Sequence, residues 1–162
     1  IGKLAIWRLA SHETFGGTWL TDYVENRLGI QFEDLQRRAI FEAFESGILV
    51  LTGGPGTGKT TVIRAIIALL QKIEIPFCLA APTGRAADNL NAQTIHKAFH
   101  LDNAAQPDEA VTTAPKELFS ITRLIIDEIN MVRIDVFTKV MRMIRYIEQQ
   151  TNRKIKIILL IC

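Results

Sequence analysis

The chain contains one run of residues suited to holding a polyphosphate. Residues 53–60 read Gly-Gly-Pro-Gly-Thr-Gly-Lys-Thr, which matches G-x-x-x-x-G-K-[ST], a loop whose backbone N–H groups surround phosphate (the P-loop). Glycine lets those N–H groups turn inward without a Cβ clash, and the amino end of the following helix adds about half a positive charge. The pattern predicts a nucleotide site that contains Gly54, Pro55, Gly56, Thr57, Gly58, Lys59, Thr60 and Thr61.

The segments around the loop favour this interpretation over a glycine-rich turn that binds nothing. Residues 48–52 form a short apolar run, as expected of a strand buried in a parallel sheet. After the loop, apolar residues recur at helical spacing through about Ile73. In such a strand–loop–helix unit, we expect Lys59 to reach the β- and γ-phosphates and the Thr60 hydroxyl to ligate Mg²⁺.

A second apolar run ends in two adjacent carboxylates, Asp127 and Glu128. At the tip of a strand, Asp127 is placed to hold Mg²⁺ through its waters, and Glu128 to orient and deprotonate an attacking water. We therefore predict one Mg²⁺–ATP site. Its catalytic residues are Lys59, Asp127 and Glu128, and its metal-binding residues are Thr60 and Asp127.

Strands that alternate with helical stretches predict an α/β protein with a parallel sheet. The predicted strands cover 48–52, 76–81, 123–128 and 156–162, and the predicted helices cover about 18–28, 32–46, 59–73, 83–90, 94–100 and 134–149. Residues 101–114 are polar and predict a surface loop, whereas residues 1–16 are weakly patterned. The exposed side of the last helix, with Lys139, Arg142 and Arg145, is interpreted as a solvated face.

Length and composition limit the number of domains, the class of partner and the cellular location. At 162 residues the chain fits one domain, and its 19 basic and 17 acidic residues neither require nor exclude a polyanionic partner. Cys78 and Cys162 lie in apolar runs and are expected to be buried in a reducing compartment. No run reaches the 20 or so apolar residues that span a bilayer, so no membrane partner is expected and the cytoplasm is the default location (the nucleus or mitochondrion in a eukaryote).

Together these segments resemble superfamily 1 DNA helicases of the RecD-like and Pif-type branch. LTGGPGTGKTT at 51–61 looks like the first motif of that branch, AAPTGRAA at 80–87 like the segment after its second strand, TIHKAF at 94–99 like its T-[IV]-H motif, and LIIDEINM at 124–131 like its Walker B motif. FEDLQRRAI at 32–40 places Gln36 where the family keeps an adenine-reading glutamine.

The resemblance implies a RecA-like P-loop domain with helices on both faces of the sheet, preceded by short N-terminal helices. Residues 1–30 would be an N-terminal extension and residues 31–162 the ATPase domain. It further implies a motor that uses ATP and Mg²⁺ to move 5′ to 3′ on single-stranded DNA. The chain is expected to be a monomer, and its pathway (recombination, repair, telomere maintenance or phage replication) stays open. Gln36 would contact adenine, and Thr83, Arg85 and His96 would contact the DNA strand.

Two departures from the family pattern qualify these expectations. Asn130 stands where the family usually has Ser, which puts the coupling of hydrolysis to DNA in doubt. The sequence ends at Cys162, where the family continues into G-D-x-x-Q-L-P-P with its γ-phosphate-sensing Gln. The second RecA-like domain of the family, with its arginine finger, is also missing from this chain, so slow hydrolysis is expected.

Two alternatives remain open at this stage. An AAA+ type P-loop ATPase has similar loop and Asp-Glu motifs, and would form nucleotide-dependent rings; the AAPTGRAA and TIHKAF segments argue against it. The other alternative is a non-catalytic protein that keeps the ATP fold as a binding module. The expected truncation after residue 162 keeps this alternative open, whereas intact Lys59, Asp127 and Glu128 argue that the parent protein, at least, was an enzyme.

Overall fold

A computed structural model of the protein describes residues 5–9, 18–101 and 114–161, with the backbone alone described for 5–9. Its sheet has six strands in the spatial order β1-β2-β6-β5-β3-β4. The strands are β1 Ala5–Leu9, β2 Ile48–Thr52, β3 Phe77–Ala81, β4 Gln93–Thr94, β5 Arg123–Ile126 and β6 Lys156–Ile161. Strands β2 to β6 are parallel, and β1 runs antiparallel to β2 at the edge of the sheet. The predicted parallel α/β sheet is therefore confirmed, with two edge strands added that were not predicted: the antiparallel β1 and the two-residue β4, whose Thr94 was predicted to lie in the following helix.

The helices lie where their apolar periodicity predicts them. They are α1 Trp19–Leu28, α2 Asp34–Glu45, α3 Lys59–Lys72, α4 Gly84–Leu90, α5 Ile95–Phe99 and α6 Ile134–Thr151, with short 3₁₀ turns at Lys116–Phe119 and Ile129–Met131. Helix α2 begins two residues later than predicted, because Glu33 adopts an extended backbone (φ −68°, ψ 157°) and is the N-cap. Helix α6 continues two residues beyond the predicted end. Residues 102–113 of the predicted surface loop lie outside the described residues.

Helices cover both faces of the sheet, which gives the domain two cores. On one face, buried residues of α1, α2 and α3 pack on Leu49, Ile125 and Ile158. On the other face, α5 and α6 pack on Leu124, Ile126 and Ile157. Successive residues of β5 thus point to opposite cores, and all four of its residues are buried, as expected of a parallel strand covered on both sides. The sheet that carries Asp127 is consequently held rigidly from both faces.

Helix α1 belongs to the same core as the P-loop helix. Leu20 and Val24 of α1 are essentially inaccessible to solvent and share a cluster with Val62 and Ile66 of α3. Whether residue 30 marks a boundary between an extension and the ATPase domain stays a prediction. Within the described residues, no helix combines the length and the apolar character needed to cross a membrane.

Candidate functional site

The P-loop leaves the carboxyl end of β2 and leads directly into α3. Gly56 and Gly58 have positive φ values of 76° and 80°, a left-handed backbone that side chains with a β-carbon disfavour. The Thr57 hydroxyl donates to the Gly54 carbonyl at 2.9 Å and closes the loop on itself. Since α3 has 14 residues, its free N–H groups and its dipole make the loop a suitable anion cradle.

Lys59 is the first residue of α3, and its amine lies over the loop. Nζ donates to the carbonyl of Gly53 and, at 3.2 Å, to that of Gly54. Phosphate oxygens carry formal charge, and hydrogen bonds from an ammonium group to such oxygens are stronger than bonds to neutral carbonyls. The amine is therefore placed to exchange its carbonyl partners for a phosphate.

Gln36, near the start of α2, lies directly beside the P-loop. Its Nε2 atom occupies the space that a β-carbon on Gly58 would fill. Its Oε1 atom accepts a hydrogen bond from the Glu33 N–H at 3.0 Å. Glu33 was not identified from the sequence. The signal that could have found it is an N-cap residue followed three positions later by Gln, a helix-start pattern in which the Gln side chain bonds back to the N–H of the N-cap residue. The structure thus places Gln36 beside the P-loop, and its contact with adenine stays a prediction.

Asp127 and Glu128 follow β5 at the same edge of the sheet. The Asp127 N–H donates to the Ala80 carbonyl at 3.0 Å, which ties this residue to β3, and Asp127 Oδ1 accepts from the Glu128 N–H at 2.9 Å. Glu128 has a left-handed backbone (φ 48°), which is uncommon for a residue other than Gly, Asn or Asp. Both side chains are partly exposed and hence accessible from solvent.

Strand β6 sets the distance between the two halves of the site. It pairs with β2 on one side (Thr52 opposite Ile161) and with β5 on the other (Ile126 opposite Leu159). Two strand spacings separate β2 from β5 by about 10 Å. Since parallel strands end at one edge, the P-loop and the Asp127–Glu128 pair lie at the same edge of the sheet, where α/β sheets bind ligands. A hydroxyl and a carboxylate are the hard oxygen ligands that Mg²⁺ prefers, so Thr60 and Asp127 fit this metal chemically.

The predicted DNA-contacting residues lie farther along this edge. Thr83 follows β3 and His96 follows β4, and these two strands are paired. The Thr83 hydroxyl accepts from the Ala86 N–H at 3.2 Å and caps α4, while Arg85 and His96 are exposed. Thr83 therefore has a structural role whether or not it also contacts DNA. The assignment of all these site residues to ligands stays a prediction.

Comparison with protein families matches residues 36–161 to a family described as AAA domain. Among curated proteins, the ATP-dependent RecD2 DNA helicase of Deinococcus radiodurans is 35% identical over 91 residues, which cover 52% of this chain and 12% of that protein. The match to the family extends over most of the chain, from Gln36 through β6.

Two solved structures share the fold. The Pif1 helicase of Candida albicans superposes with a TM-score of 0.65 at 24% identity, over 82% of this chain and 32% of that one. The Pif1 helicase from Bacteroides in complex with ADP-AlF3 and single-stranded DNA superposes with a TM-score of 0.60 at 25% identity, over 82% of this chain and 32% of that one.

The chain thus spans about an eighth of the RecD2 helicase and about a third of the Pif1 chains. Its P-loop, its Asp-Glu strand tip and its parallel sheet all lie within the matched region. The chain belongs to the AAA domain family, and it is similar to part of the RecD2 and Pif1 helicases.

Proposed function

We propose that this chain is the ATP-binding motor domain of a DNA helicase that moves 5′ to 3′ on single-stranded DNA. The observation that carries the proposal is the meeting of the site residues at the carboxyl edge of the sheet. There the P-loop after β2 and the Asp127–Glu128 pair after β5 flank one strand, and Gln36 lies against Gly58. The names of the relatives, an ATP-dependent RecD2 helicase and a Pif1 structure with ADP-AlF3 and single-stranded DNA, support it.

In this proposal the P-loop N–H groups and Lys59 bind the β- and γ-phosphates of ATP, and Gln36 reads the adenine. Thr60 and Asp127 would hold Mg²⁺, which neutralises phosphate charge when bound. Glu128 orients the attacking water and accepts its proton. These residues approach this edge of the sheet from three elements that share one rigid core, so the site is largely preorganised.

Single-stranded DNA is proposed to run along the neighbouring part of the edge. Thr83 and Arg85 follow β3, which lies next to β5 in the sheet, and His96 follows β4, which lies next to β3. A hydroxyl and a guanidinium are suitable ligands for DNA phosphates. The strand β3 lies directly beside β5 and is bonded to Asp127 through Ala80, which supplies a short connection between the DNA residues and the Asp127–Glu128 pair.

The 162-residue chain alone is expected to bind ATP but to hydrolyse it slowly. In the related NTPases an arginine finger contributes roughly 10³- to 10⁵-fold to the rate, and in the helicases that this chain resembles it comes from a second RecA-like domain. Strong stimulation of ATP hydrolysis by single-stranded DNA in this chain alone would show that the second domain is dispensable.

The decisive experiment measures Mg²⁺–ATP binding by calorimetry for the wild type, Lys59→Ala and Lys72→Ala. Lys72 is exposed at the far end of the same helix and provides a charge-matched control. Lys59→Ala should lose at least about tenfold in affinity, the size of one charged hydrogen bond, while Lys72→Ala should bind as the wild type does. Equal affinity of all three proteins would reject the nucleotide site. Nucleotide-dependent hexamers in sedimentation would instead favour a ring-forming ATPase.

A further inference from the structure

A carboxylate on α1 holds the segment from which α2 starts. Glu25 Oε1 accepts a hydrogen bond from the Phe32 N–H at 2.7 Å. The same carboxylate pairs with Arg37, whose NH2 group lies 2.7 Å from Oε1 and 2.8 Å from Oε2. The Glu25 side chain is only 12% exposed, so solvent screens this pair less than a surface ion pair. Glu25 thus holds the residue before the N-cap of α2 and a residue at the end of its first turn.

Arg37, the partner of Glu25, also bonds to the backbone of Phe32. Its Nε donates to the Phe32 carbonyl at 3.3 Å, so both polar groups of the Phe32 backbone are bonded within the Glu25–Arg37 arrangement. The Phe32 side chain is buried in the core that α1, α2 and α3 share. The residue immediately before the N-cap of α2 is therefore fixed by two hydrogen bonds and by its burial.

The start of α2, which Glu25 and Arg37 hold in place, orients the side chain of Gln36. Glu33, next to Phe32, donates its N–H to Gln36 Oε1 at 3.0 Å. An amide flip would bring the Gln36 NH₂ group against this N–H, donor against donor, so the bond fixes which end of the amide is the acceptor. The other end, Nε2, lies against Gly58 of the P-loop. Displacing the Glu33 N–H would therefore release the side chain of Gln36.

The orientation of the Gln36 amide affects which nucleobase, adenine or guanine, it can bind. Adenine presents an N6 amino donor beside the N7 acceptor, whereas guanine presents acceptors at both O6 and N7. A Gln carbonyl oxygen has a second lone pair that can accept from N6 of adenine, but it would repel O6 of guanine. An amide held in one orientation discriminates between the two bases; an amide that flips freely accommodates both.

We propose that Glu25 is a positioning residue for nucleobase selectivity, acting through Phe32, Arg37 and Glu33 on the amide of Gln36. The inference rests on the proposed function, because it requires the base to be read by Gln36. Glu25 itself makes its described side-chain contacts with Phe32 and Arg37. Helix α1, outside the conventional nucleotide motifs, thereby becomes part of the adenine site.

The test compares Glu25→Gln with Asp22→Asn, a matched control. Asp22 lies on the same helix and its carboxylate is 3.7 Å from the same Arg37, but it is 55% exposed. Dissociation constants are measured for Mg²⁺–ATP, Mg²⁺–GTP and Mg²⁺–tripolyphosphate. In Glu25→Gln the preference for ATP over GTP should fall roughly 2.5- to 12-fold, the worth of one hydrogen bond. Tripolyphosphate affinity should stay at the wild-type value in both variants, because the P-loop is intact.

A double-mutant cycle separates this mechanism from a general loosening of the domain. Gln36→Ala should lower the ATP preference by itself, and Glu25→Gln should then add nothing in the Gln36→Ala background. An unchanged preference in Glu25→Gln, or an equal loss in both backgrounds, overturns the inference. If Glu25→Gln does not fold, Arg37→Lys replaces it, since Lys keeps the charge but loses the planar fork that bridges Glu25 and Phe32.

The outcomes also separate this inference from the proposed function. A wild type that binds neither nucleotide nor tripolyphosphate refutes the proposed function. A wild type that binds ATP and GTP equally keeps the phosphate site but overturns the positioning role of Glu25, because no base reading is then present to be positioned.

Discussion

Gln36 Nε2 and Gly58 are in such close contact that a β-carbon at position 58 would overlap the amide nitrogen. Gly58 also has a φ of 80°, whereas Gly56 has a similar φ of 76° but open space around it. The two glycines therefore share the left-handed backbone and differ in the presence of the Gln36 side chain. A comparison of substitutions at the two glycines can therefore measure the contact between Gln36 and Gly58.

Gly58→Ala should destabilise the protein more than Gly56→Ala. Both substitutions introduce left-handed strain of about 1–2 kcal/mol, but only Gly58→Ala adds overlap with Gln36. The free energy of unfolding is measured in urea for both variants, and again with Gln36→Ala added. Removing Gln36 should recover part of the stability of Gly58→Ala and none of that of Gly56→Ala. Equal effects in the two backgrounds would contradict the contact.

Glu128→Gln should abolish hydrolysis while preserving ATP binding. The substitution removes the proposed base, and a general base contributes about 10²- to 10⁴-fold to a rate, but it leaves the P-loop unchanged. Glu117→Gln, in the exposed part of a 3₁₀ turn, is the control. Single-turnover hydrolysis and calorimetric binding are measured for both. A normal rate in Glu128→Gln would assign the base to another residue.

Arg85→Ala should weaken binding to single-stranded DNA and reduce its salt dependence by about 0.7 in the log–log slope, the value for one phosphate contact. Fluorescence anisotropy with a labelled oligonucleotide over a range of salt concentrations measures both quantities. Arg145→Ala, on the exposed face of α6, is the matched control and should bind as the wild type does. An equal loss in Arg145→Ala would mean that the basic face of α6, interpreted above as solvated, contacts DNA.

Cys78 should make the stability of the protein fall at high pH. Burial raises the pKa of the Cys78 thiol from 9.0 to about 11. Between these values the unfolded chain loses the thiol proton while the folded chain keeps it, so stability is fully present below pH 9 and is lost as the pH rises toward 11. Unfolding is measured over this range in wild type and Cys78→Ala, because Lys and Tyr also titrate there. The decline should be smaller in Cys78→Ala; parallel curves would contradict the pKa.

Local patterns in the sequence were sufficient to locate the P-loop, its strand and its helix. Apolar runs and helical periodicity depend on neighbouring residues, so β2, β5 and α3 were predicted close to their observed bounds. Strands β1 and β4 were missed, because these short edge strands are defined by backbone pairing with β2 and β3 rather than by a clear apolar pattern.

The contacts that complete the site could not be predicted in this way. Gln36 was selected through the family resemblance alone, and its position against Gly58 depends on how α2 packs beside α3. The ion pair of Glu25 with Arg37 joins side chains of separate helices, and no spacing rule predicts such a pair. Cys78 was expected to be buried, whereas the structure leaves it only partly buried; Cys162 lies outside the described residues.

The position of β6 has a consequence for synthesis on the ribosome. Strands β2 and β5, which carry the two halves of the candidate site, do not pair with each other, and β6 is bonded to both. Among the described strands, β6 is also the last to be translated. A nascent chain that already contains the P-loop and Asp127 therefore lacks the strand that brings them to one edge of the sheet. Nucleotide binding during translation should begin only once β6 has left the exit tunnel.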